Sequence, residues 1–265
     1  MNTPIHTKSR YASGMVWLIG AGPGDPELLT VKAMRILKEC SVWLVDDLVS
    51  PEILALAGNA TQIIKVGKRG GCASTPQDFI LRLMARYTRL GHTVARLKGG
   101  DPFIFGRGGE EMEWLNKRGI RVGSISGITA GLAVGSALGL PLTHREISRG
   151  VTLVTAHTAD GSKPDWKALA QSGLTIVCYM GIGHIENLTA ELLSAGFART
   201  LPVAVVQHVS CAAQRHITTT LQNLAADIQT HKMASPSVIV LGEVAAHQQH
   251  LSEANLDLTS LVKAG

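Results

Sequence analysis

The stretch that decides the fold is TVARLKGGDPFIFGRGGEE, residues 93–111. Its first part, residues 93–97, is a short run of aliphatic residues that predicts a β-strand. Gly99 and Gly100 end this strand, because glycine tolerates positive φ and lets another group approach the backbone closely. Asp101 then has two open interpretations: a turn residue that bonds its own backbone, or a contact for a ligand. The stretch therefore predicts a strand followed by a loop that is suited to binding.

Runs of the same kind recur between helical patterns, which predicts the α/β class with a parallel sheet. A first series covers residues 16–20, 41–45, 62–66, 93–97 and 121–125, and a second covers 151–156, 175–180, 202–207, 216–221 and 237–242. A polar stretch at 143–150 separates the two series. We therefore predict two α/β domains, residues 15–145 and 146–246, between a disordered N-terminal tail, 1–14, and a C-terminal tail, 247–265.

Composition narrows the class of protein. Apolar residues make up 45% of the 265 residues and charged residues 17%, without the run of roughly 18 apolar residues that a membrane span needs. Residues 1–14 lack the apolar segment of a signal peptide, so we expect a cytoplasmic protein. The net charge of +5 is dispersed and aromatics are only 4%, which favours an acidic small molecule over nucleic acid. The four cysteines lack metal-ligand spacing, so we expect no metal.

The unusual residues follow the predicted strands. In chain order these are GAGPGDP at 20–26, Asp46, GKRGG at 67–71, KGGDPF at 98–103, SGITAG at 126–131, MGIG at 180–183 and HVSCAAQ at 208–214. In open α/β sheets, ligands bind beyond the carboxyl ends of strands, where loops and helix N-termini converge. We predict that the two domains present these edges to a shared cleft.

The GAGPGD segment resembles a dinucleotide-binding loop but departs from it. That fingerprint requires a third glycine three residues after the second, and Gly22 is instead followed by Pro23, Gly24 and Asp25. Pro23 also removes a backbone donor. Asp25 with the following proline instead predicts the cap of a helix over residues 26–40. Binding of a dinucleotide pyrophosphate is therefore disfavoured.

The segment after Pro102 combines apolar and charged residues. The apolar residues 103–105 form either a plug in the core or a wall for a flat ligand. Glu110 and Glu111 suit the first turn of a helix, whose dipole favours acids, so capping alone explains Glu111. Capping explains Arg107 poorly.

Several motifs resemble those of uroporphyrinogen-III C-methyltransferases, within the tetrapyrrole methylase family. They are GAGPGDPELLT, VGKR, RLKGGDPFIFGRGGEE, GITAG, GLPLTHR, YMG and GEV, in the family's order between residues 16 and 244. The resemblance implies two α/β domains that are not a Rossmann-type methyltransferase, with S-adenosylmethionine in the cleft between them. It also implies a homodimer that methylates uroporphyrinogen III at C2 and C7, giving precorrin-2 and S-adenosylhomocysteine, for siroheme, cobalamin or heme d1 synthesis.

The resemblance also assigns roles by position. The implied cofactor contacts are Pro23, Gly99, Gly100, Asp101, Ile104, Thr129, Ala130, Met180 and Val209. Asp46 matches a proposed proton acceptor and Lys68 a proposed proton donor, while Arg107, Glu110 and Arg145 match residues that handle the substrate. Because the substrate is an octacarboxylate, we add Arg149 to the arginines expected to bind its side chains. Asp46 and Glu110 both remain candidates for the proton acceptor.

Four residues depart from the family pattern. Val45 and Asp47 flank Asp46 where a tyrosine and an arginine are usual, while Ala73 and Ser126 replace a histidine and a proline. Two alternatives therefore stay open beside the C-methyltransferase. One is a methylase acting on a later corrin precursor, and the other is a non-catalytic protein that binds a tetrapyrrole or an adenosyl ligand.

Overall fold

A computed structural model describes residues 14–59, 61–67, 75–156 and 161–248. The chain forms two compact units, which divide between Thr129 and Ala130. Both units combine a five-stranded β-sheet with helices, as the α/β class predicts.

The first unit contains a parallel sheet. Its strands are β1 (Met15–Gly20), β2 (Val42–Val45), β3 (Gln62–Lys65), β4 (Val94–Lys98) and β5 (Arg121–Ile125). They lie in the order β3-β2-β4-β1-β5, and every neighbouring pair is parallel. The five strands predicted from the first series of aliphatic runs are confirmed, and β4 lies at the centre.

Helices cover both faces of this sheet. They are α1 (Val31–Leu37), α2 (Pro51–Leu54), α3 (Gln77–Arg89) and α4 (Gly108–Asn116). One buried cluster joins Trp43 and Leu97 of the sheet to Ile36 of α1 and Ile53 of α2. The opposite face of the sheet packs on buried residues of α3 and α4, among them Met84 and Leu115. All five residues of β4 are buried, the aliphatic ones and also Arg96 and Lys98.

The helix predicted over residues 26–40 is interrupted. Asp25 caps only a 3-10 turn, Pro26–Leu28, by accepting a hydrogen bond from the Glu27 N–H at 2.8 Å. The backbone is extended at Leu29, and α1 begins after Thr30, whose Oγ1 accepts from the Ala33 N–H at 3.1 Å. The predicted single helix is therefore wrong at this point, because Thr30 is a second N-cap.

The second unit contains a mixed sheet. Its strands are β6 (Val151–Thr155), β7 (Thr175–Tyr179), β8 (Pro202–Gln207), β9 (Arg215–Thr220) and β10 (Ser237–Leu241), in the order β6-β7-β10-β8-β9. Only β6 and β7 form a parallel pair of neighbours, and β10 runs antiparallel to both β7 and β8. It follows that β6, β7 and β8 point the same way, so their carboxyl ends lie at one edge.

The helices of the second unit are α5 (Ala130–Leu138), α6 (Trp166–Gln171), α7 (Ile185–Ser194) and α8 (Leu224–Thr230). Short 3-10 turns cover Ile182–His184, Leu221–Asn223 and Glu243–His247. Helix α5 packs against β7 and β10, which is why the units divide before it and not at the predicted position after Arg145.

Residues 1–13 and 249–265, which make up most of the two predicted tails, lie outside the described residues. His247 belongs to the last 3-10 turn and stacks on His144.

Burial raises the pKa of the Cys40 and Cys178 thiols to about 12. Within the four described ranges, every helix is too short or too polar to cross a bilayer.

Leu44→Ala tests the packing of the first unit. Leu44 is fully buried on β2, so the substitution should lower the free energy of unfolding by about 2–5 kcal/mol. Leu90→Ala, at a position that is 64% exposed, should change it by less than about 0.5 kcal/mol. Urea unfolding followed by circular dichroism measures both, and similar losses would contradict the described core.

Candidate active site

Glycines bring three loops together at the carboxyl edge of the first sheet. Gly22, after β1, and Gly100, after β4, exchange backbone hydrogen bonds of 3.2 and 2.7 Å. At the end of β5, a Cβ on Gly127 would lie 2.2 Å from the Gly100 carbonyl oxygen and 2.7 Å from the Gly20 Cα. Only residues without a side chain fit such contacts. The three loops that the sequence predicts therefore meet, because the parallel strands before them end at the same edge of the sheet.

Asp101 fastens two of these loops to each other. Its Oδ1 accepts a hydrogen bond from the Phe103 N–H at 2.8 Å, as expected of a turn residue. Its Oδ2 accepts from the Gly127 N–H at 3.0 Å, which links the loop after β4 to the loop after β5. Both carboxylate oxygens thus bind backbone groups, as the structural interpretation of Asp101 predicts, and its contact with a ligand stays a prediction.

The first loop is not built like a dinucleotide-binding loop. The Gly22 N–H donates to Gly100 and is not directed toward a phosphate. The 3-10 turn Pro26–Leu28 separates the loop from α1, so the N-terminus of α1 does not directly follow the loop. A pyrophosphate site of the dinucleotide type needs loop N–H groups that are directed toward the phosphate and a helix that begins directly after the loop. This loop has neither.

A cluster of charged side chains lies beneath this edge. Arg96 and Lys98 of β4 are 2% and 3% exposed, and Glu111 of α4 is fully buried. Glu111 Oε1 accepts from Arg96 Nε at 3.2 Å, from Lys98 Nζ at 3.1 Å and from Gln77 Nε2 at 3.0 Å. Arg96 Nη2 donates to Asp46 Oδ1 at 2.7 Å. We call Asp46, Arg96, Lys98 and Glu111 the charge cluster.

Burial and charge act against each other in this cluster. Burial acts to lower the pKa of Arg96, but Asp46 and Glu111 outweigh it, so the pKa is raised and the guanidinium stays charged. Burial lowers the pKa of Lys98, and the positive charge of Arg96 adds to this effect. The carboxylates of Glu111 and Asp46 oppose the change without cancelling it. Of the two cations in the cluster, Arg96 therefore holds its positive charge more firmly than Lys98 does.

Arg107 and Glu110 form an exposed ion pair at the start of α4. Arg107 Nη2 donates to Glu110 Oε2 at 2.6 Å, and Arg107 Nε lies 3.1 Å from both carboxylate oxygens. This hydrogen bonding raises the pKa of Arg107 and lowers the pKa of Glu110. Arg107 also has a left-handed backbone, with φ of 58°. Both side chains are more than half exposed, so the pair remains accessible to a ligand.

In the second unit, Tyr179 joins two of the predicted cofactor segments. Ala130 begins α5, and the next residue, Gly131, donates its N–H to Tyr179 Oη at 2.6 Å. Met180 follows directly after β7, with φ of 56° and a side chain that is 52% exposed. The tyrosine therefore holds the start of α5 beside the end of β7.

The loop after β8 has a constrained backbone. Val209 is buried between His208 and Ser210, whose φ values are 53° and 62°. The Ser210 N–H donates to Gln214 Oε1 at 2.7 Å, and Gln214 Nε2 donates to the Ala137 carbonyl at 3.4 Å. This loop is therefore attached to the end of α5.

Left-handed residues concentrate in these loops. Among the described residues, six that are not glycine have positive φ, and five of them follow β4, β7 or β8: Phe105, Arg107, Met180, His208 and Ser210. Such conformations are unfavourable and cluster at binding sites in proteins. Their distribution supports a functional role for the same edges that the sequence indicates.

Arg145 and Arg149 lie on a turn before β6. The His144 and Ser148 backbones exchange hydrogen bonds of 2.8 and 3.0 Å, which closes the turn. Both arginines line an open cavity of about 310 Å³ together with Thr143, His144 and Ser148. Two exposed guanidinium groups on one turn are suited to binding carboxylates.

The structure places the predicted site residues in two groups. The first unit contains Pro23, Asp46, Gly99, Gly100, Asp101, Ile104, Arg107, Glu110 and Thr129, and the second contains Ala130, Arg145, Arg149, Met180 and Val209. Lys68, the predicted proton donor, and Ala73 lie outside the described residues. The predicted cleft between the two domains stays a prediction.

Sequence reasoning missed Arg96, Lys98 and the burial of Glu111. The available signal was the pair of cations in RLK, inside a strand that was predicted to be buried. Across the described ranges, we find no group of three or more histidine, cysteine, aspartate or glutamate residues placed to hold a metal ion.

Comparisons with known proteins identify the family. Residues 15–225 match the model of the Tetrapyrrole (Corrin/Porphyrin) Methylases. A uroporphyrinogen-III C-methyltransferase of Pseudomonas aeruginosa is 54% identical over 232 residues, which cover 88% of this chain and 94% of that protein. Another from Pseudomonas fluorescens is 49% identical over 91% of this chain and 97% of that protein.

Solved structures agree with this match. A uroporphyrin-III C-methyl transferase from Thermus thermophilus, complexed with S-adenyl homocysteine, superposes with a TM-score of 0.77 and 40% identity. The superposition covers 88% of this chain and all of that chain. The chain belongs to the tetrapyrrole methylase family, and its fold is the family's fold and not a Rossmann-type arrangement.

Adjacent glutamates allow a matched test of the charge cluster. Glu111→Gln removes the carboxylate that faces two buried cations and should lower the free energy of unfolding by about 3–5 kcal/mol. Glu110→Gln, on the exposed neighbour, should lower it by less than about 1 kcal/mol. Urea unfolding compares the two variants, and equal losses would contradict the described burial.

Proposed function

We propose that this protein is an S-adenosylmethionine-dependent methyltransferase that methylates uroporphyrinogen III at C2 and C7. The products are precorrin-2, formed through precorrin-1, and S-adenosylhomocysteine, for siroheme, cobalamin or heme d1 synthesis. The observation that carries the proposal is the 54% identity, over 88% of this chain, to the Pseudomonas aeruginosa protein named uroporphyrinogen-III C-methyltransferase.

The loops fit S-adenosylmethionine. Ile104 of the first unit is 37% exposed and Met180 of the second is 52% exposed, so each unit has an apolar side chain that is accessible to an adenosyl ligand. The glycine-bearing backbone at Gly99 and Gly100 can approach the ligand closely. The other residues proposed to hold it are Pro23, Asp101, Thr129, Ala130 and Val209. When bound, the molecule supplies an electrophilic methyl group, and the protein's contribution is orientation and exclusion of water.

Arginines are proposed to bind the macrocycle. Uroporphyrinogen carries eight carboxylates, and a guanidinium binds a carboxylate through two charge-assisted hydrogen bonds. Arg107 is exposed beside Glu110, and Arg145 and Arg149 line one open cavity. The net charge of +5 favours the approach of such an anion.

Proton transfer is assigned to acidic and basic side chains of the first unit. Asp46 is the proposed acceptor of the proton that the methylated carbon loses, and Lys68 is the proposed donor. The choice of Asp46 over Glu110 is supported by their contacts, since Glu110 binds Arg107 through both oxygens and Asp46 binds Arg96 through Oδ1 alone. General-base help of this kind is typically worth about a hundredfold to ten-thousandfold in rate.

Two further properties are implied by the family resemblance. We propose that the protein acts as a homodimer and that it works in the cytoplasm. Light scattering coupled to size-exclusion chromatography tests the first of these.

A methyl-transfer assay tests the function directly. The purified protein is incubated with enzymatically made uroporphyrinogen III and S-adenosylmethionine that carries a labelled methyl group. We expect two labelled methyl groups in the product, by mass and by the absorbance of the new chromophore. A single addition, or none, contradicts the proposal. No addition combined with intact binding of S-adenosylhomocysteine would instead identify a non-catalytic binding protein.

Arg107→Ala separates substrate binding from cofactor binding. Loss of a charge-assisted contact of about 1.5–3 kcal/mol should lower kcat/KM for uroporphyrinogen III by roughly tenfold to a hundredfold. The affinity for S-adenosylhomocysteine, measured by calorimetry, should stay within about twofold, because Arg107 is assigned to the carboxylate side. Arg89→Ala removes an exposed cation at the end of α3 and should leave both values unchanged. Lost cofactor binding in Arg107→Ala would contradict the assignment.

A further inference from the structure

The charge cluster arises from the side-chain alternation of two neighbouring strands. Val94, Arg96 and Lys98 point to the same face of the first sheet, because side chains alternate along a strand. Leu44 pairs with Arg96 in the register of β2 and β4, and Asp46 follows Leu44 on the same face. Arg96 therefore lies one step below Asp46, within reach of its carboxylate.

The guanidinium of Arg96 is fixed by all three of its nitrogens. Nη1 donates to the Leu44 carbonyl at 3.4 Å and to the Leu97 carbonyl at 3.2 Å, and Nε donates to Glu111 Oε1 at 3.2 Å. These partners belong to β2, β4 and α4. A planar group with contacts to three elements has one orientation, so Nη2 has one direction in which to donate.

Asp46 is the member of the cluster that reaches solvent. Its side chain is 30% exposed, whereas those of Arg96, Lys98 and Glu111 are 3% exposed or less. Oδ1 binds Arg96 at 2.7 Å, while Oδ2 lies 3.9 Å from Lys98 Nζ, beyond hydrogen-bond distance. Oδ1 is therefore anchored by Arg96, while the Asp46 side chain as a whole keeps access to solvent.

Stability does not require charges at these positions, although a charge that is buried there needs its partner. Removing ions from water is costly, and a buried ion pair is often no more stable than an apolar pair of similar volume. A cluster that presents a single carboxylate at the binding edge has a functional explanation. The contact with Arg96 also holds Asp46 in place. It does so although Val45 and Asp47, on either side of Asp46, differ from the residues that are usual there.

We propose that Arg96, held by Glu111, is a positioning residue that orients the Asp46 carboxylate for proton transfer. This inference rests on the proposed function, in which Asp46 is the proton acceptor. Arg96 itself is buried beneath the edge and acts through Asp46.

A double-mutant cycle tests the inference. Arg96→Lys keeps the positive charge, but a lysine ammonium cannot contact β2, β4, α4 and Asp46 at the same time. We expect it to lower kcat about tenfold, with the KM for each substrate within about twofold. In a chain that also carries Asp46→Asn, Arg96→Lys should lower kcat by less than about twofold, since the carboxylate that it orients is gone. Arg82→Lys, at an exposed ion pair with Asp78, is the matched control and should leave kcat unchanged.

The outcomes distinguish this inference from the function on which it rests. Equal losses with and without Asp46→Asn overturn the positioning role alone. A wild-type rate in Asp46→Asn overturns the role of Asp46 and with it this inference. If Arg96→Lys does not fold, Arg96→Gln, whose amide can still donate, is taken through the same cycle.

A measurement that does not depend on turnover completes the test. A crystal structure of Arg96→Lys should show the Asp46 carboxylate rotated away from its position in the wild type. Calorimetry should give an affinity for S-adenosylhomocysteine within about twofold of the wild-type value. An unmoved carboxylate in that structure overturns the inference, whatever the rates are.

Discussion

The structure of the first unit depends on keeping four charges together at the centre of a parallel sheet. Arg96 and Lys98 on β4 are balanced by Glu111 from α4 and Asp46 after β2. Charges removed from water are tolerated only when each has a partner and its hydrogen bonds are made. This requirement fixes α4 against the sheet, and it sets the register in which the loop after β2 meets the loop after β4.

Much of the fold could be predicted because the strands are short, aliphatic and separated by helical patterns. All ten strands in the described part of the chain match predicted runs, and the loops that follow them were recognised from residues such as Gly100 and Met180. Two features escaped prediction for physical reasons. The second N-cap at Thr30 competes with the Asp25 cap only five residues away, and pattern alone does not rank them. The antiparallel direction of β10 depends on long-range pairing, which local sequence does not encode.

The candidate site was predictable in its loops and not in its support. Glycines and exposed arginines have local signatures, so Gly99 and Arg107 stood out directly. Arg96 did not, because its partners are 15 and 50 residues away in the chain, at Glu111 and Asp46. A charged residue within a strand is normally exposed, and only the packing of α4 shows that this one is buried.

Asp101 has a mechanical consequence for this edge of the sheet. One of its oxygens binds the loop after β4, at Phe103, and the other binds the loop after β5, at Gly127. Separating those loops would leave a carboxylate without its donors, which is unfavourable away from water. The carboxylate therefore couples the two loops, and one can move without the other only if a hydrogen bond to Asp101 breaks.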